Sequence, residues 1–213
     1  MLAVGIFIFI LLFVRVLRTT PEEQITDTQN EITIDEENTG HPTTPLEEFI
    51  TPPLSRAGER VTKKPFGMYI TPTTSPVSPE RFRGYHNGVD FEVFEEELHI
   101  DVPVYSICSG EILRKQYISG YGGVLVQTCS INEENWYILY GHLDLANTSV
   151  TVGDHVQMGD QMSILGNPYS TETDGERKHL HLGIYTGNEI DFRGYVSTQS
   201  ELNAWIDIMT YLK

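Results

Sequence analysis

"ERKHLHLGIY", Glu176 to Tyr185, places two histidines one residue apart inside an apolar run. Side chains of an extended strand alternate between its two faces, so His179 and His181 share one face while Leu180, Leu182 and Ile184 form the other. One face suits a core and the other suits chemistry. An isolated H-x-H is more often a pair of half-buried polar residues at a sheet surface, so the motif alone decides nothing.

The surrounding chain extends the β reading. After about Ala57 the sequence breaks into short β-rich runs punctuated by Gly, Asn, Asp and Pro: "GVDFEVF", "PVYSIC", "GEILRKQYI", "GVLVQTC", "WYILYGHL", "QMSILG" and "HLHLGIY". That pattern predicts a mainly β domain over 58–213 built on an antiparallel sheet. Helical spacing enters only at the end, where Leu202, Trp205, Ile206, Met209 and Leu212 predict a C-terminal helix over 199–212 packed on the core. Cys108 and Cys129 flank the turn "SGYGG" at distances that would set them nearly opposite in a hairpin. They are compatible with a disulfide in an oxidising compartment or with two buried thiols.

Toward the N-terminus the character changes twice. "MLAVGIFIFILLFVRVL" is apolar apart from Arg15 and reads as a transmembrane anchor over 1–18, slightly short of the usual ~20 residues but extendable by snorkelling of Arg15 and Arg18. No small-x-small cleavage site follows it, which favours an uncleaved anchor. Both arginines lie on the C-terminal side of the apolar run, and the positive-inside rule would put the following chain in the cytoplasm, against the extracytoplasmic placement that the chemistry below prefers. Residues 19–57, rich in Thr, Glu, Asp and Pro, read as an acidic disordered linker, with His41 as a solvated part of it. A formal net charge of -16 over 213 residues excludes the Lys/Arg clusters that nucleic-acid binding requires.

The remaining histidines give the late pair its meaning. "YHNGVDF" sets His86 four residues before Asp90, and "WYILYGHLDL" ends an apolar strand with His142. A catalytic zinc site takes three protein ligands from His, Asp, Glu or Cys and leaves a fourth position open. His86, Asp90 and one histidine of the late pair supply such a set, and the other joins His142 as an imidazole for proton transfer or oxyanion stabilisation.

Taken in order, "VTKKPFGMYITP", "YHNGVDFEV", "DVPVYSICSGEI", "GYGGVLVQ", "YGHLDL", "VTVGDHVQMGDQMSILGN" and "KHLHLGIY" resemble the lysostaphin/LytM-type zinc metallopeptidases, over about Val61 to Tyr185. The resemblance implies a mainly β, duplicated-hybrid-motif-like fold with a groove over an antiparallel sheet. It also implies one Zn2+ held by His86, Asp90 and His181, with His142 and His179 as the catalytic pair, acting on peptide cross-links of peptidoglycan. Two alternatives stand beside it: an inactive LytM-like module that binds wall or activates a partner hydrolase, and a metallopeptidase that cuts proteins.

The sequence departs from the family pattern in two places. "FEVFEEELHIDVPVY" is long and acidic, and predicts a solvent loop at Glu95 to Glu97 and His99. "NPYSTETDGERKHLH" brings Arg177 and Lys178 close to the site, where surface solvation is the simpler expectation and contact with a substrate carboxylate the other. His155 reads as an exposed turn residue.

Overall fold

The structure, a computed structural model, describes residues 50–212. The expected anchor and most of the expected linker lie outside these residues; among those described, no helix is long and apolar enough to cross a membrane.

Eleven strands follow one another as β1 (Tyr69–Ile70), β2 (Gly84–His86), β3 (Gly88–Glu92), β4 (Pro103–Tyr105), β5 (Gly110–Ile118), β6 (Gly122–Ile131), β7 (Glu134–Gly141), β8 (His155–Val156), β9 (Gln161–Ile164), β10 (His179–Tyr185) and β11 (Tyr195–Val196). Six of them form the principal sheet in the order β3-β10-β7-β6-β5-β8, and every pairing is antiparallel. A three-stranded sheet (β1-β2-β11) and a two-stranded one (β4-β9) complete the fold. The mainly β, antiparallel expectation is therefore met.

The alternation in the sequence fixes which way the principal sheet faces. Val89 and Phe91 of β3, Leu180, Leu182 and Ile184 of β10, and Ile138 and Tyr140 of β7 all enter one large apolar cluster. Each such side chain, fully buried, stabilises the fold by about 1.5–3 kcal/mol in transfer terms. Asp90, Glu92, His179 and His181 are consigned to the opposite face, because a one-residue slip of β10 would exchange the two sets.

Two terminal expectations are corrected. No continuous helix forms over 199–212; two 3-10 turns, Gln199–Ala204 and Ile208–Thr210, are separated by an extended Trp205. The edge of β10 competes for this backbone, since Thr186 N–H donates to Ala204 O and Ile206 N–H to Ile184 O, both at 3.0 Å. Asp207 then caps the second turn by accepting from Met209 N–H. Trp205 is buried all the same, and Ile206, Met209 and Leu212 pack partly buried against the core, so the apolar stripe marked contact correctly and helix wrongly.

At the other end, Ile50, Leu54 and Ala57 belong to the core, and Thr51 N–H donates to Ile107 O at 2.8 Å. Residues 50–57 thus pack on the domain instead of serving as tether. Cys108 and Cys129 form a disulfide, with Cα atoms 6.2 Å apart.

Candidate metal centre and catalytic groove

His181 and Asp90 are directly opposite one another in the β10–β3 ladder, and the next same-face pair is His179 with Glu92. His86 comes from a different sheet. Only Asn87 separates β2 from β3, and it is pinned where the chain changes sheets, its side-chain amide donating to Arg193 O at 2.8 Å. The spacing of H-N-G-V-D therefore spans a sheet junction that folds His86 back over Asp90. Gly88 is needed for this closeness, because a Cβ there would stand 2.6 Å from His181 Nε2.

Three donor atoms converge. His86 Nε2 lies 3.1 Å from His181 Nδ1 and 3.3 Å from Asp90 Oδ1, and His181 Nδ1 lies 3.1 Å from Asp90 Oδ1. A tetrahedral ion with bonds of about 2.0–2.1 Å needs ligand atoms ~3.3–3.4 Å apart, so two imidazoles and one carboxylate fit zinc in type and spacing. The orientation of His86 is set from behind, where Nδ1 faces Pro65 O at 3.2 Å and leaves Nε2 to point inward. Burial, opposed by the hydrogen bond to Asp90, pushes the His181 pKa down to about 4, keeping the ring neutral as a ligand must be. Burial would raise the Asp90 carboxyl, but the imidazoles of His179 and His86 around it and the hydrogen bonds from His179 and His181 outweigh burial and hold the group well below its ordinary range.

The two other expected residues complete the constellation. His142 follows β7 with a left-handed φ of 65°, held by its N–H donating to Tyr121 O (3.0 Å) and its carbonyl accepting from Gly166 N–H (2.8 Å). Its ring sits 4.2 Å, centroid to centroid, from that of His179. Burial, then repulsion from His179, holds the His142 pKa well below the usual imidazole value. It is no satisfied strand cap, because its Nδ1 is buried without a hydrogen-bond partner among the described residues. His179 differs, with Nδ1 facing Arg177 O at 2.9 Å and Nε2 facing Asp90 Oδ2 at 3.3 Å.

All these groups except His86 line a cavity of about 340 Å³, and His86 stands behind it beside Tyr195. His99 and His155 are exposed elsewhere, both as expected, although His155 lies in β8 and not in a turn. Sequence reasoning missed the aromatic wall. Tyr121 lies over His181 (ring centroids 5.0 Å apart) in space that Gly141 leaves open, since a Cβ at 141 would meet its Cδ1 at 2.7 Å. Its hydroxyl is buried and has no partner among the described residues. Tyr195 accepts from Lys64 Nζ at 3.1 Å, and Lys64 pairs with Glu80 at 2.6 Å. A tyrosine inside the glycine turn "SGYGG" was the available signal for the first; the second rests on contacts between distant segments and left none.

Both departures from the family pattern are more ordered than expected. Arg177 and Lys178 are not solvated surface: Arg177 is engaged with Asp90 and Glu92, and Lys178 is buried, donating to Ile100 O at 2.6 Å. Glu97 leaves the expected solvent loop to receive a two-point contact, at 2.6 and 2.8 Å, from the fully buried Arg60, whereas Glu95, Glu96 and His99 are exposed.

Fold and groove together define a class, a β-sheet peptidase with a candidate mononuclear metal site in its groove. The chain belongs to peptidase family M23, whose sequence profile matches residues 84–192. Endolysin 2638A of Staphylococcus phage 2638A is 31% identical over 136 residues, which cover 58% of this chain and 27% of the endolysin. The chain thus spans about a quarter of that relative's length. Among solved structures, LytU is similar at 24% identity and TM-score 0.48, covering 72% of this chain and 84% of LytU. The antimicrobial peptidase lysostaphin from Staphylococcus simulans is similar at 23% identity and TM-score 0.46, covering 76% and 53% of the two chains.

Proposed function

We propose that the protein is a zinc-dependent endopeptidase that hydrolyses peptide cross-links of bacterial peptidoglycan. One observation carries this reading: three ligand atoms 3.1–3.3 Å apart, two of them on residues that line the groove and the third on His86 behind it, stand beside two groove imidazoles that no ligand role claims. His86, Asp90 and His181 would hold the ion, which when bound supplies Lewis acidity and lowers the pKa of water toward about 7.

The remaining steps belong to the chain. Both ring nitrogens of His179 face acceptors, so a proton taken from water leaves each N–H of the imidazolium with a partner, Arg177 O on one side and Asp90 on the other. His142, neutral and with a ring nitrogen uncommitted, is the donor available to the developing oxyanion. No covalent enzyme intermediate is required.

Retention of all five polar residues supports an enzyme over an inactive binding module, which needs none of them. The endolysin relative supports cell wall over protein as substrate. The disulfide supports an oxidising, extracytoplasmic setting, with residues 1–18 proposed as the membrane anchor. The test is digestion of purified peptidoglycan by residues 50–213 with mass spectrometry of the released ends. Chelation should abolish cleavage and Zn2+ restore it; undiminished cleavage by metal-free protein defeats the reading.

A further inference from the structure

Arg177 stands two residues before His179, just ahead of β10, and its side chain lines the same groove as His179 and His181. Its guanidinium is spent there. Nη2 donates to Asp90 Oδ2 at 2.8 Å, and Nε donates to Glu92 Oε2 at 2.9 Å. Glu92 is itself fixed, by Lys63 Nζ at 3.3 Å and by Arg60 donating to its carbonyl at 3.1 Å. The Arg177 carbonyl, meanwhile, receives His179 Nδ1. A single residue therefore touches one member of the ligand triad with its side chain and one member of the imidazole pair with its backbone.

The consequence for Asp90 is specific. A carboxylate has two equivalent oxygens and can rotate to offer either or both. Here Oδ2 accepts from the guanidinium at 2.8 Å and faces His179 Nε2 at the longer 3.3 Å, and Oδ1 is the oxygen facing His86 and His181.

We propose that Arg177 is a positioning residue of the metal centre: anchored on Glu92, it claims Oδ2 of Asp90 so that Oδ1 alone is presented to the ion, in the manner of an outer-shell partner. This rests on the zinc reading of the site. A cation this close also repels Zn2+, so positioning and repulsion predict opposite signs when Arg177 is removed. Outer-shell partners of this kind typically hold 10–100-fold of metal affinity.

The experiment is competition for Zn2+ between the purified domain and a chromophoric chelator, with the visible absorption bands of the Co2+-substituted protein as a second readout. Arg177→Ala should bind Zn2+ about 10–100-fold more weakly. Arg177→Lys, which keeps the charge and loses the fork, should fall between it and wild type. Glu92→Gln, which touches no ligand, should show a smaller loss of the same sign, and the Co2+ bands should shift in all three. If Arg177→Ala does not fold, the Lys and Gln variants carry the test. Affinity equal to or tighter than wild type in the variants overturns the positioning role and leaves the zinc reading intact; a wild-type domain that binds no Zn2+ overturns both.

Discussion

The two ends of the principal sheet differ in how their buried polar side chains are paired. Toward β5 and β6, Gln127 is fully buried, yet its amide donates to Cys108 O (2.7 Å) while its carbonyl accepts from Ser106 (3.0 Å) and Tyr140 (2.8 Å), beside the Cys108–Cys129 disulfide. Toward β3 and β10, His142 Nδ1, His181 Nε2 and the Tyr121 hydroxyl are equally buried and have no partner among the described residues. Leaving such an atom unmade costs roughly 1–3 kcal/mol. Trp136 Nε1, opposite Cys129 in the β6–β7 ladder, is also buried without a partner among the described residues, so what sets the groove apart is that three such atoms sit on side chains lining one cavity, a grouping that stability alone would not select.

Substitutions at the groove end should therefore cost function out of proportion to stability. The largest effect is expected for Asp90→Asn, which removes the one anionic ligand: zinc content and cleavage should both fall to background, and the melting temperature of the metal-free protein should fall as well, because a carboxylate held below its ordinary pKa stabilises the fold at neutral pH. Atomic absorption and calorimetry on the same sample check both halves, and an Asp90→Asn protein that keeps its zinc breaks the ligand assignment. His142→Ala comes next. Zinc should remain near wild type and turnover fall about 10²–10⁴-fold, the usual range for an acid–base group. Wild-type turnover in that variant would return His142 to the status of a buried spectator.

At the opposite end the pattern should invert. Cys108→Ala with Cys129→Ala opens a loop with a sequence separation of 21 and should lower stability by about 3 kcal/mol, read from the urea midpoint, with turnover per folded molecule unchanged. Lost turnover in the folded fraction would show that the two ends are coupled, and the division drawn here would fail.

The same division explains what could be read from the chain. Period-two alternation in "HLHLGIY" states which residues share a face, whereas the pairing of that strand with "GVDFE", which sets His181 opposite Asp90, is visible only in the structure. Which late histidine faces the ion was not legible from spacing and came from the family resemblance. Arg177 was visible as a charge near the site, but its role depends on Glu92, on a strand far back in the sequence. Trp205 shows the reverse error: its spacing marked a helical stripe, and pairing with Tyr185 at the end of β10 took its backbone instead. Local period reports faces reliably; it cannot report competition from an edge that arrives through tertiary structure.

The smallest effect is expected at the groove rim, where Arg193 lines the cavity but is held by Asp191 and Glu201. Glu201 accepts from both the hydroxyl and the N–H of Thr198, closing a capping box on the Gln199–Ala204 turn. The Thr198 hydroxyl first, then its N–H and Arg193, hold the Glu201 pKa below its ordinary value. A depressed carboxylate stabilises the fold fully above its unfolded pKa of about 4.5, and loses that contribution as pH falls through the lower folded value. Thermal melts of Glu201→Gln should thus show a slightly lower melting temperature than wild type at pH 7, with the gap closing below about pH 4. Because every polar atom of this box is satisfied, the rim should behave like the disulfide end, with turnover unchanged; a loss of turnover in Glu201→Gln would move Arg193 from scaffold to substrate contact.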